Sequence, residues 1–83
     1  MTDDHILRMI ESRIRYAQER YGPFASTHEA LGVAMEEWKE LRDEIHANNI
    51  DGTIDECCDL AAVLIRLARD LKVGGSIVWR STK

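Results

Sequence analysis

Apolar side chains recur at helical spacing in three stretches of the chain, separated by two breaks. In the first, Ile6, Leu7, Ile10, Ile14, Ala17 and Tyr21 follow mostly three- and four-residue steps, which predicts an amphipathic helix over about residues 3–21. Arg8, Arg13, Arg15 and Arg20 occupy the rest of its surface. Gly22-Pro23 ends it, because proline lacks an amide hydrogen and restricts the residue before it. Ser26-Thr27-His28-Glu29 has the form of a capping box, with Ser26 accepting the Glu29 amide hydrogen while the Glu29 side chain reaches back. A second helix therefore covers about 27–47. Leu31, Ala34, Trp38, Leu41 and Ile45 form one stripe along it, placing Trp38 in a core and not against a ligand.

Asn48-Asn49-Ile50-Asp51-Gly52 is turn chemistry, and Thr53-Ile54-Asp55-Glu56 is a second capping box that predicts a third helix over about 54–72. Ile54, Cys57, Cys58, Leu60 to Ile65, Leu67, Ala68 and Leu71 cover more than one stripe of it, so it requires burial on two sides. Lys72 and Gly74-Gly75 signal its end, leaving a tail, Ser76 to Lys83, whose Ile77, Val78 and Trp79 suit docking. The fold expected is all-α, a short antiparallel helical bundle forming one domain over 1–83. Two helices cannot easily cover the third, so a second copy is expected to pack on it and complete a four-helix-type core, as a homodimer or homotetramer.

Size strengthens that expectation: a chain of 83 residues buries only about 60% of the surface its unfolded form exposes, leaving a marginal core. The net charge of −4 and pI near 5.3 argue against nucleic-acid polymers and anionic membranes as partners. The longest apolar run, Leu60 to Ile65, is far short of a membrane span, and the acidic start Met1-Thr2-Asp3-Asp4 is unlike a secretory signal, so a cytoplasmic location is expected. Adjacent Cys57 and Cys58 read as reduced core thiols, with no basic neighbour in sequence to make a nucleophile. His5, His28 and His46 lack zinc spacing.

The carboxylates change the picture. Glu36, Glu37, Glu40, Asp43 and Glu44 crowd the second helix, with only Lys39 and Arg42 among them, and like charges four apart each cost about 0.2–0.5 kcal/mol. Glu37 and Glu44 fall at the border of the apolar stripe, with Glu40 one step further round. On the third helix Glu56 shares a face with Leu60, Val63 and Leu67, and Asp59 lies one turn on. Glu37 with Glu40, and Glu56 with Asp59, can each point two carboxylates at one ion. A divalent cation keeps such a group ionised, and oxygen ligands suit magnesium, with manganese a substitute. The competing readings are a solvated acidic face and a purely capping role for Glu56 with Thr53.

Glu37-Trp38-Lys39-Glu40 and Glu56-Cys57-Cys58-Asp59, a Glu-x-x-Glu pair and a Glu-x-x-Asp pair on successive helices, resemble the hallmark of the MazG-type all-α nucleoside triphosphate pyrophosphohydrolases. The resemblance runs from about His28 to Asp70. The stretch from Gly22 to Ala30, with Ala61-Ala62 and Arg66, is similar to small MazG-like proteins of phages and bacteria. It implies magnesium-dependent hydrolysis of a nucleoside or deoxynucleoside triphosphate to monophosphate and pyrophosphate. Glu37, Glu40, Glu56 and Asp59 would hold metal, and Glu40 is the first choice as general base. Larger members carry a further helix with lysine, asparagine and arginine after the second acid pair. Here Arg66, Arg69 and Lys72 are the nearest phosphate-binding candidates, ahead of Arg80 and Lys83, although a helical polar face makes plain surface charges of the first three the more common outcome. The alternative function is a non-catalytic MazG-like module that senses nucleotide or binds protein; a third is an acidic dimerisation module without a ligand.

Overall fold

In the computed structural model, which describes residues 3–73, the chain is all-helical: α1 spans Asp3–Tyr21, α2 Thr27–His46 and α3 Ile50–Val73. The Gly74-Gly75 stop and the tail with Trp79, Arg80 and Lys83 lie outside the described residues. None of the helices is long and apolar enough to cross a membrane.

The first connection is built largely as its sequence predicts, except that the Glu29 side chain reaches the amide one residue before the cap. Gly22 takes a φ of 71°, a left-handed conformation open to glycine, and its N–H bonds back to the Gln18 carbonyl at 3.0 Å. Ser26 caps α2, its hydroxyl accepting from the Glu29 amide at 3.1 Å, while Glu29 accepts from the Ala25 amide at 2.8 Å. Between these, Phe24 turns inward, and its amide donates to Asp70 of α3 at 3.1 Å.

The second connection is shorter than expected. Asn48 alone takes a positive φ, 57°, and α3 starts at Ile50 and not near Ile54. Asn49 is the reason: its side-chain oxygen accepts the Gly52 amide at 3.0 Å, and its carbonyl accepts both the amide and hydroxyl of Thr53, at 2.9 and 2.7 Å. With the Thr53 amide taken, the expected capping role of Glu56 disappears, and the Glu56 side chain is left for other work. Glycine suits position 52 in the first turn of α3 because the Glu44 carboxylate crosses over it; a Cβ there would meet Glu44 Oε2 at 1.9 Å.

Contacts fix the packing order. Arg13 reaches Asp55 and Asp59, whereas Gly22 meets Arg66 and Phe24 meets Asp70, so α1 and α3 run parallel. The short second connection folds α2 back antiparallel to α3. Both α1 and α2 pack on α3 but not on each other. The two-sided burial expected of α3 thus comes in large part from its own chain. Phe24, Ala30 and Val63 form the buried cluster, with Val33, Ala34 and Leu67 against it; Ile14, Leu41, Cys58 and Ala62 are also buried.

Two expectations about these faces are corrected. Ala30, Val33, Ala34, Glu37, Leu41 and Glu44 turn toward α3, with the small alanines allowing close approach, so the stripe of Leu31, Trp38 and Ile45 is left outside. Trp38 is 59% exposed and not in the chain's own core. Of the cysteine pair, both free, Cys58 is buried as expected but Cys57 is exposed, since adjacent helical residues point about 100° apart.

Candidate metal and nucleotide site

The antiparallel α2–α3 packing brings carboxylates from both helices together. One oxygen each of Glu37, Glu56 and Asp59 lies within 4.8 Å of the others, and all three side chains are half-buried. Glu37 Oε2 and Glu56 Oε2 are fully enclosed by protein without a hydrogen-bond partner. Enclosed anions in this state repel one another and lack the water that would stabilise their charge. Burial, hydrogen bonds to Glu37 and Glu40, and the charges of those two residues push the Glu56 carboxyl up to about 8. Burial also raises Glu37, reinforced by Glu40, Asp59 and Glu36, while the hydrogen bond from Glu56 opposes the rise. Both carboxyls are thus pushed toward the protonated form, Glu56 the more strongly.

Of the four expected metal ligands, three converge in this way. Glu40 stands more open to solvent, yet near enough to act on Glu56. Glu44 Oε2 is likewise enclosed and unpartnered, not in this cluster but over the first turn of α3, where the positive end of the helix dipole favours an anion.

Arg13 was not singled out by sequence, where it is one of four arginines on the outer surface of the first helix. It pairs closely with Asp59 through Nε, reaches Asp55 through Nη2 at 3.3 Å, and donates to its own helix at the Met9 carbonyl. It clamps α1 to α3 and holds one oxygen of Asp59. No spacing signal could have marked it, because its partners lie more than forty residues away.

The phosphate-binding candidates separate. Arg66 is only 6% exposed, so it is not a surface charge: its guanidinium stacks 4.2 Å from the Phe24 ring centroid and donates to the Gly22 carbonyl at 3.2 Å. It also lines the cavity that contains Glu37 and Asp59. Arg69 is exposed and lines a separate recess with Glu11, Ile14, Arg15 and Gln18. Lys72 is exposed in the last turn of α3. Burial raises the Cys58 thiol, which makes it a poor nucleophile at neutral pH.

All the cluster's donors are carboxylate oxygens, a hard set that fits magnesium or manganese, and the enclosed unpartnered oxygens are atoms that a cation would satisfy. Compared with known proteins, the chain significantly matches no family model, no curated protein and no solved structure.

Proposed function

We propose that this protein is a MazG-like, magnesium-dependent nucleoside triphosphate pyrophosphohydrolase. The observation that carries the reading is the convergence of Glu37, Glu56 and Asp59 from two helices, with one enclosed oxygen each on Glu37 and Glu56 that has no partner. The ordered Glu-x-x-Glu and Glu-x-x-Asp pairs support it independently. In this reading Glu37, Glu56 and Asp59 hold the cation and Glu40 completes the acidic group. A magnesium ion held by these carboxylates would supply neutralisation of the phosphate charge and orientation of the phosphates. Glu40, the most solvent-open of the four, takes the proton of the attacking water on its carboxylate. Water adds, the bond between the α and β phosphates breaks, and monophosphate and pyrophosphate leave. Arg13 keeps Asp59 in place, and Arg66 braces the end of the cavity nearest the α1–α2 connection.

The working unit in this reading is a cytoplasmic homo-oligomer; because α1 and α2 already flank α3, the second copy expected on α3 covers instead the outer face of α2 and completes a four-helix-type core. Leu31, Met35, Trp38 and Ile45 recur there at helical spacing, each more than half exposed. Such a patch on a chain with a marginal core suits a self-complementary interface.

Pyrophosphate release from a panel of ribo- and deoxynucleoside triphosphates with magnesium tests the activity. Native protein is expected to turn over at least one of them. Glu37→Gln and Glu56→Gln should abolish turnover, and Glu40→Gln should lower kcat by about 100-fold or more. A folded native chain that releases no pyrophosphate with magnesium or manganese sinks the enzyme reading. The Arg13–Asp59 ion pair, which already neutralises one acid, favours a second reading, a nucleotide-sensing or protein-binding module; nucleotide binding without turnover would select it.

A further inference from the structure

Because α1 and α2 flank α3 without their backbones approaching each other closely, they leave a trough floored by α3, with a volume of about 560 Å³. Its two ends differ in chemistry. At one, Glu37 and Asp59 enter the lining beside Arg13; at the other, Arg66 enters it with Tyr21, over whose ring the Arg20 guanidinium lies 5.7 Å from the centroid. Asp59 and Arg66 are seven residues apart on α3, about 10 Å along its axis at 1.5 Å per residue. Tyr16 and Tyr21 line the same wall yet are 61% and 68% exposed, so their rings border the trough without being packed away. Ala17 and Ala62 keep the trough open, while Val33 and Val63 give it an apolar surface.

An occupant that fits has a cation-binding, anionic head and a flat, largely apolar body. We propose that the trough seats the nucleoside of the substrate, its base stacking on Tyr16 and Tyr21 while the triphosphate extends toward Glu37 and Asp59. This rests on the pyrophosphohydrolase reading and adds the side chains that recognise the nucleoside. Stacking on an aromatic ring accepts every base, so these residues supply affinity and little choice among bases. The ring hydroxyls are not required for it.

Calorimetric titration tests the seat with three probes: manganese alone, tripolyphosphate with magnesium, and the α,β-methylene analogue of ATP with magnesium. Tyr16→Ala and Tyr21→Ala should each weaken the nucleotide analogue by about 10-fold, the loss expected of one base–aromatic stack. Manganese and tripolyphosphate binding should stay unchanged, and Tyr16→Phe should keep native nucleotide affinity. Both tyrosines are exposed, so helicity by circular dichroism should match the native chain. Nucleotide affinity indifferent to both alanine variants, or lost in parallel with tripolyphosphate, overturns the seat. So does a change of oligomeric state in the variants with nucleotide affinity intact, which would assign the rings to a second copy. A native chain that fails to bind manganese overturns the metal reading itself, a result distinct from tyrosine-insensitive binding on a chain that does bind it.

Discussion

Glu56 concentrates the electrostatic tension of this molecule in one side chain. Its folded-state pKa, about 8, lies above its ordinary value of 4.5, so the folded state favours the protonated carboxyl. The stabilisation that proton provides is complete below about 4.5 and is lost as pH rises through about 8. In metal-free buffer the melting temperature should therefore fall between pH 5 and pH 8. Glu56→Gln, which mimics the protonated form, should flatten that fall. Saturating magnesium should oppose it in the native chain, since a ligand selective for the folded state raises stability. A flat native profile would count against the enclosed acid pair. Arg66 poses a different residue-scale problem. Arg66→Lys should cost about 1–3 kcal/mol in urea denaturation, because an ammonium cannot both stack flat on Phe24 and donate to Gly22 in the same geometry.

At the scale of elements, the ends of helices decide where the acids sit. Asn49, and not Thr53, starts α3, which adds a turn and frees the Glu56 side chain to face α2. Asn49→Ala should destabilise the fold by about 1 kcal/mol, whereas Thr53→Ala should cost less, as its hydroxyl bonds a carbonyl already used within the helix. Thermal melts of the two variants give the ranking, and a larger loss from Thr53→Ala would restore the later start. Most of this level was legible in the sequence: α1 and α2 have the predicted bounds to within a residue, and the Ser26 cap forms as its motif requires. The start of α3 was not, because Asn49 reads locally as part of a turn and only the folded connection shows its bonds to Gly52 and Thr53. Glu44, lying over Gly52, belongs to the arrangement that only the folded connection reveals.

Across the whole molecule, α3 is central and the α1–α2 gap leaves a concavity of about 560 Å³ over it. Leu31, Met35, Trp38 and Ile45 give the outer face of α2 an exposed apolar surface that a partner could remove from water. Trp38→Glu should convert a dimeric or larger assembly to monomer in sedimentation analysis at micromolar concentration, with helicity largely kept, since Trp38 contributes little to the chain's own core. A native chain that sediments as a monomer would remove the basis for a shared four-helix core.

Helical class, the α1–α2 break and the two acid pairs were determined by the sequence, because each depends on spacing within about a dozen neighbouring residues. The tertiary structure alone decided which acids converge, that Arg13 clamps Asp59, and that Arg66 lies buried under Phe24. It also decided that α2 faces α3 with Glu37 and Glu44 and not with Trp38. The periodic pattern places apolar residues on a broad arc of a helix but leaves its rotation free. That rotation is set by which side chains are small enough to let two helices approach, here Ala30 and Ala34, and by partners more than forty residues away.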